Sequence, residues 1–233
     1  GSFAFCESGE LLLASEGGLA LLDWESGRVR KLRDIPFQDD ERFMNDGKCD
    51  ARGRFWFGTI SESGAGRLFR YDPGSDGLEV VKEGIRTSNG LGWTHDGDVF
   101  YYADSGRRVI SKGVFDLDTG VLGAFETVYD FSSWEAGDPD GLAVDREDCV
   151  WVALWDGRCL MRLSPQGEVL QRVDVPMARP TSCAFGGEDL KTLYVTSAVV
   201  GTEPSPRSQP LRSGNVFCFR VSVPGVSVGL CRI

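Results

Sequence analysis

Along the chain a short apolar run closing on a small residue recurs: Leu11-Leu12-Leu13-Ala14, Phe55-Trp56-Phe57-Gly58, Phe100-Tyr101-Tyr102-Ala103, Val150-Trp151-Val152-Ala153 and Leu193-Tyr194-Val195-Thr196. The closing residues step by 44, 45, 50 and 43, close to the period of roughly 40–50 residues of a propeller blade. Most runs are followed by a turn and a second strand-like run ending near Asp, such as Leu19 to Asp23, Leu68 to Asp72 and Val114 to Asp116. Helical periodicity is nearly absent. Each unit reads as three or four antiparallel strands, too small to bury its own face and stable only beside its neighbours. Radial repetition closes such units with short protected edges. A β-sandwich of short strands would not repeat five times in register. The pattern predicts an all-β β-propeller with five visible blade repeats, residues 1–233 forming one domain, and no helix longer than about two turns.

A polar residue leads each inner segment of the later repeats. Asn45 precedes Gly58 by 13 positions, Asn89 precedes Ala103 by 14, Asp140 precedes Ala153 by 13 and Ser182 precedes Thr196 by 14. Equivalent residues of a propeller converge at one end of the central channel. Carboxylate and amide oxygens are hard-cation ligands, suited to Ca²⁺ or Mg²⁺ rather than zinc. A plainer reading stands beside this one. Asn-Asp-Gly, Ser-Asn-Gly and Pro-Asp-Gly are ordinary turn tripeptides in which Gly supplies a positive φ.

Composition narrows the partners. The 233 residues are 41% hydrophobic and 26% charged, with 30 glycines scattered in turn-like dipeptides. The net charge of −10 repels nucleic acid and admits small neutral or cationic ligands. No apolar stretch approaches the roughly 20 residues of a membrane span, and the start lacks the basic and apolar regions of a signal peptide. Seven cysteines without a C-x-x-C pair suggest free thiols, with Cys149, Cys159, Cys183 and Cys218 in apolar runs, and a reducing cytoplasm.

The motifs Asn45-Asp46-Gly47-Lys48-Cys49-Asp50 with Gly53-Arg54-Phe55-Trp56, Ser88-Asn89-Gly90-Leu91-Gly92-Trp93 with Tyr101 to Ser105, Pro139-Asp140-Gly141-Leu142 with Val150 to Ala153, and Thr181 to Gly187 appear in one order over nearly the whole chain. In these the chain resembles the senescence-marker-protein/gluconolactonase/luciferin-regenerating-enzyme family. The resemblance implies six blades around a divalent cation, Ca²⁺ first, with Mg²⁺, Mn²⁺ or Zn²⁺ as alternatives, and hydrolysis of sugar lactones. It implies that Asn89 and Asp140 ligate the metal, that Asp140 is also the general base, and that Asn45 contacts substrate. The family's Arg two positions before this Asn is here Phe43. Arg42 lies three before, and one residue of slip turns a strand side chain to the other face unless a bulge restores it as a substrate clamp. Glu62 is a further candidate substrate contact. The family's first blade, with its Glu ligand, has no counterpart here, and Glu7 and Glu10 lie in turns. An incomplete ring would leave open edges for self-association.

His95 is the lone histidine, so a Ser-His-Asp or Cys-His arrangement could be built only around it and a three-His zinc site is impossible; in its turn His95 reads as an inert surface residue. Hydrolysis would run through a cation as Lewis acid and Asp140 as base. Two other readings stay open: a hydrolase of another ester such as a phosphotriester, and a non-catalytic Ca²⁺-binding or interaction propeller. Trp56, Trp93 and Trp151 read as packing between blades, Asp104 as a partner of neighbouring backbone, and the Pro-rich stretch 201–213 as a lid or solvated excursion.

Overall fold

A computed structural model describes residues 1–38, 40–134, 137–200 and 213–233. Five antiparallel sheets follow one another, each built in simple up-and-down order, as a five-bladed propeller arrangement. The first is β1 (Ser2–Phe5), β2 (Leu11–Ser15), β3 (Gly18–Asp23) and β4 (Arg28–Arg33); the second is β5 (Glu41–Cys49), β6 (Phe55–Ser61), β7 (Gly66–Asp72) and β8 (Gly77–Ile85). The third is β9 (Ser88–Trp93), β10 (Val99–Asp104), β11 (Val109–Asp116) and β12 (Val121–Asp130); the fourth is β13 (Asp138–Val144), β14 (Val150–Trp155), β15 (Cys159–Leu163) and β16 (Val169–Asp174). The fifth has three strands among the described residues, β17 (Pro180–Gly186), β18 (Thr192–Ser197) and β19 (Phe217–Arg220). A single 3₁₀ turn, Ser105–Arg107, is the one helical element among the described residues. The stretch 201–212 lies outside them.

The recurring apolar runs are the second strands of their blades. β6, β10 and β14 are buried on both faces between neighbouring sheets, so they read as continuous rather than alternating hydrophobics. The outermost strands β4 and β16 are mostly exposed. Four apolar clusters fill the seams between successive blades. Trp56 meets Trp93, Phe100 and Phe115 of the third blade with ring centroids 5.4–5.9 Å apart, and Trp151 meets Phe219 of the fifth at 6.0 Å. The tryptophans are the inter-blade packing that their positions in the repeat predict. Among the described residues no such cluster joins the fifth blade to the first, and Phe3 and Phe5 of β1 and Tyr194 of β18 stay exposed.

Buried aspartates lock the far ends of the inner strands. Asp50, just past β5, accepts from the backbone N–H groups of Arg52 and Arg54, from Arg54 Nε at 2.7 Å and from Trp56 Nε1 at 2.9 Å. Asp145, just past β13, does the same with Glu147, Cys149, Arg162 Nε and Trp151 Nε1. The C-terminal segment straps across this end: Val226 N–H donates to Val144 O, and Cys231 N–H to Phe5 O. Glu7 and Glu10 occupy the β1–β2 turn at this same end, remote from Asn45. All seven cysteines are unpaired; six are buried, and Cys218, expected within an apolar run, is exposed on β19.

Candidate metal and substrate site

Each of the inner strands β5, β9, β13 and β17 carries a β-bulge at the polar position singled out by the repeat. On β5 the register slips between Met44 and Gly47, spanning Asn45. On β9 it slips between Ser88 and Leu91, spanning Asn89, and on β13 between Pro139 and Leu142, spanning Asp140. On β17 it slips just before Ser182. An extra residue bends the strand and re-aims a side chain; repeated in phase, it directs the polar groups to one end of the channel. The turn-tripeptide reading fails here, because none of Gly47, Gly90 and Gly141 has a positive φ. All three glycines serve close approach instead: a Cβ on Gly47 would stand 2.6 Å from Ser2 Oγ of the first blade. A Cβ on Gly90 would stand 2.5 Å from Leu142 N, and one on Gly141 would stand 2.1 Å from Ser182 Oγ.

Hydrogen bonds tie these groups from one blade to the next. Asn45 Nδ2 donates to the Ser88 carbonyl at 2.8 Å. Asn89, nearly buried, donates through Nδ2 to Ser105 Oγ at 2.8 Å, and Ser105 Oγ donates to the Pro139 carbonyl. The Asp140 carboxylate is met by the Asn89 side chain and the Gly141 N–H. Burial, and then the neighbouring Asp46 carboxylate, push the Asp140 carboxyl up to about 8, more than those two bonds offset. Asp46 is itself raised by burial, with Lys48 acting against it.

The structure therefore brings Asn45, Asn89 and Asp140 together. Arg42 and Glu62 it leaves paired with each other, Nη2 to Oε1 at 2.9 Å, as an exposed rim ion pair. A bulge does fall between Glu41 and Met44, yet both Arg42 and Phe43 stay exposed. Asp104 accepts from the backbone N–H groups of Arg86, Thr87 and Arg107, as expected of a structural group. His95 is an exposed turn residue whose N–H reaches Asp148. Sequence reasoning passed over Ser105 and Lys48. The first follows Asp104 as an ordinary turn residue, and the second is a lysine with no sequence mark of burial.

One carboxylate and two amide groups are oxygen donors of the kind hard divalent cations take. Among the described residues no group of three His, Cys, Asp or Glu side chains is arranged to hold a metal. The set fits a cation whose remaining coordination falls to water or substrate. A cavity of about 480 Å³ lies behind these groups along the channel, lined among others by Asp46, Lys48 and Cys183 and floored by Val226 to Gly229.

Comparison with known proteins bears on this site. The family model for the SMP-30/gluconolactonase/LRE-like region matches residues 1–199. The chain is 36% identical to a 6-deoxy-6-sulfogluconolactonase of Pseudomonas putida, over 97% of this chain and 78% of that protein. It is 34% identical to regucalcin of Danio rerio, over 91% of this chain and 72% of that one. Among solved structures it superposes on a calcium-binding regucalcin of Agrobacterium tumefaciens with a TM-score of 0.91 and 26% identity, covering 99% of this chain and 79% of that one.

Proposed function

The chain belongs to the SMP-30/gluconolactonase/LRE-like family, and from that premise we propose that it opens sugar lactones with a divalent cation, Ca²⁺ first, held at the channel mouth by Asn89 and Asp140. The names of its lactonase relatives support the lactone-hydrolysing role. The observation that carries the site assignment is the in-phase bulging of β5, β9 and β13, which groups two amides and one under-bonded carboxylate.

A bound dication would polarise the lactone carbonyl as a Lewis acid. Asp140 takes a proton from the attacking water as its oxygen adds to the carbonyl carbon; collapse then breaks the ring C–O bond and returns the proton to the departing hydroxyl. The product is the open hydroxy acid. Asn89 keeps its Nδ2 on Ser105, so its Oδ1 would be the atom that holds a cation. Asn45 has Nδ2 committed to Ser88, so its Oδ1 is the free acceptor for a substrate hydroxyl. The unpaired thiols suit a reducing cytoplasm.

Asp140 is the one carboxylate of the proposed ligand pair, and no group of three His, Cys, Asp or Glu side chains is arranged to hold a metal among the described residues, so a propeller that binds Ca²⁺ without turnover stands as a second reading. A panel of sugar lactones and phosphotriesters, assayed with and without chelator, separates the readings. Chelator-sensitive lactone opening supports the proposal. Phosphotriester turnover alone, or Ca²⁺ binding with no turnover, overturns it.

A further inference from the structure

Lys48 is the one described residue whose side chain bonds from a blade to the next but one. It leaves β5 of the second blade, lines the cavity behind the site, and donates through Nζ to the Leu142 carbonyl of β13 in the fourth blade at 2.8 Å. Every other side-chain bond between blades described above joins neighbours. Burial lowers the ammonium's proton affinity, against the attraction of Asp46. The side chain is half-buried and its ammonium has that bond and the Asp46 charge for partners, so what needs a reason is its reach across the channel.

The reason lies in what the two strands carry. Asn45 is three residues before Lys48 on β5, and Asp140 is two residues before Leu142 on β13. Through the sheets themselves these side chains are related only indirectly, from β5 to β9 and from β9 to β13, two seams in series. The Lys48–Leu142 bond spans both seams at once. We propose that Lys48 is a positioning residue: it ties β13 to β5 across the channel and thereby sets the spacing of Asp140 from Asn45. This rests on the cation-site reading above. Partners that orient ligands from behind typically change metal affinity by about 10–100-fold when removed.

The test compares Lys48→Met, one atom shorter and without donor or charge, with Lys48→Arg, which keeps both, and with Asp140→Asn as a control. Amide exchange of β13 in chelated protein reports the tie without reference to function. Calcium titration and lactone kcat and KM report the site. We expect Lys48→Met to speed exchange around Leu142, to weaken Ca²⁺ binding by about tenfold, and to do so in a folded protein, with Lys48→Arg recovering most of the affinity. Should Lys48→Met fail to fold, Lys48→Gln, a neutral donor one atom shorter, takes its place against Lys48→Arg. Unchanged β13 exchange overturns the tie. Faster exchange with parental Ca²⁺ affinity overturns the positioning of the site. A parent that binds no Ca²⁺, or an Asp140→Asn control that binds as the parent does, refutes the cation-site reading instead, and the exchange data then decide the tie alone.

Discussion

The two ends of the channel hold aspartates in opposite conditions. At the far end, Asp145 is fully buried and surrounded by donors: two backbone N–H groups, the Trp151 indole and the Arg162 guanidinium. At the mouth, Asp140 is half-buried and has one amide side chain, one N–H, and a second carboxylate nearby. Buried charge persists in a protein when partners compensate it. Asp145 and Asp50 meet that condition inside the fold, and they fasten strands. Asp140 has fewer internal partners, which is the ground on which it is proposed as the functional group.

The largest expected effect breaks the comparison at the mouth. Asp140→Ala should lower lactone turnover by roughly two to four orders of magnitude, the usual worth of a positioned base, measured as initial rates at saturating Ca²⁺. Its melting temperature in chelator should hold or rise, since an uncompensated carboxylate is removed. Equal rates for parent and variant would end the catalytic reading.

The mirror experiment is Asp145→Ala. Loss of one partner from a buried ion pair costs about 3–5 kcal/mol, here by stranding Arg162 and Trp151, and urea denaturation should show it. A variant as stable as the parent would remove the contrast between the two ends. Asn89→Ala is next: it deletes a neutral ligand, so Ca²⁺ affinity should fall by about tenfold and excess metal should restore part of the rate.

Glu41 tests whether partners or position decide the matter, because it lies toward the mouth yet is fully paired. Burial pushes its carboxyl up, but Arg67 and Thr59 outweigh this and hold it below its ordinary value of 4.5. A carboxylate with a lowered folded pKa adds stability that is present above 4.5 and lost as pH falls through the folded value. The stability of the parent should therefore drop on acidification below 4.5, and Glu41→Gln should flatten that slope; an unchanged slope would mean that Glu41 is not coupled to folding. Smallest of all, Arg42→Ala should change stability by no more than about 1 kcal/mol, as for exposed ion pairs. A several-fold rise in KM would instead restore Arg42 as a substrate clamp.

Much of this was legible in one dimension. Continuous apolar runs at a steady period identify strands buried between sheets, because only a side chain covered on both faces can be apolar at every position. The shared phase of Asn45, Asn89 and Asp140 identified a common end of the channel, since a repeat that packs on its own copies must place like residues alike. Tertiary structure alone decided how those residues reach the axis. The glycines beside them look in sequence like turn formers, but they serve to let inner strands approach within a distance that a Cβ forbids. Whether a carboxylate is met by donors, as Asp145 is, or left short of them, as Asp140 is, likewise depends on neighbours brought from other strands. Lys48 gave no sign in sequence of facing the channel, for its partner lies 94 residues away and burial is a property of what surrounds a side chain, not of the side chain itself.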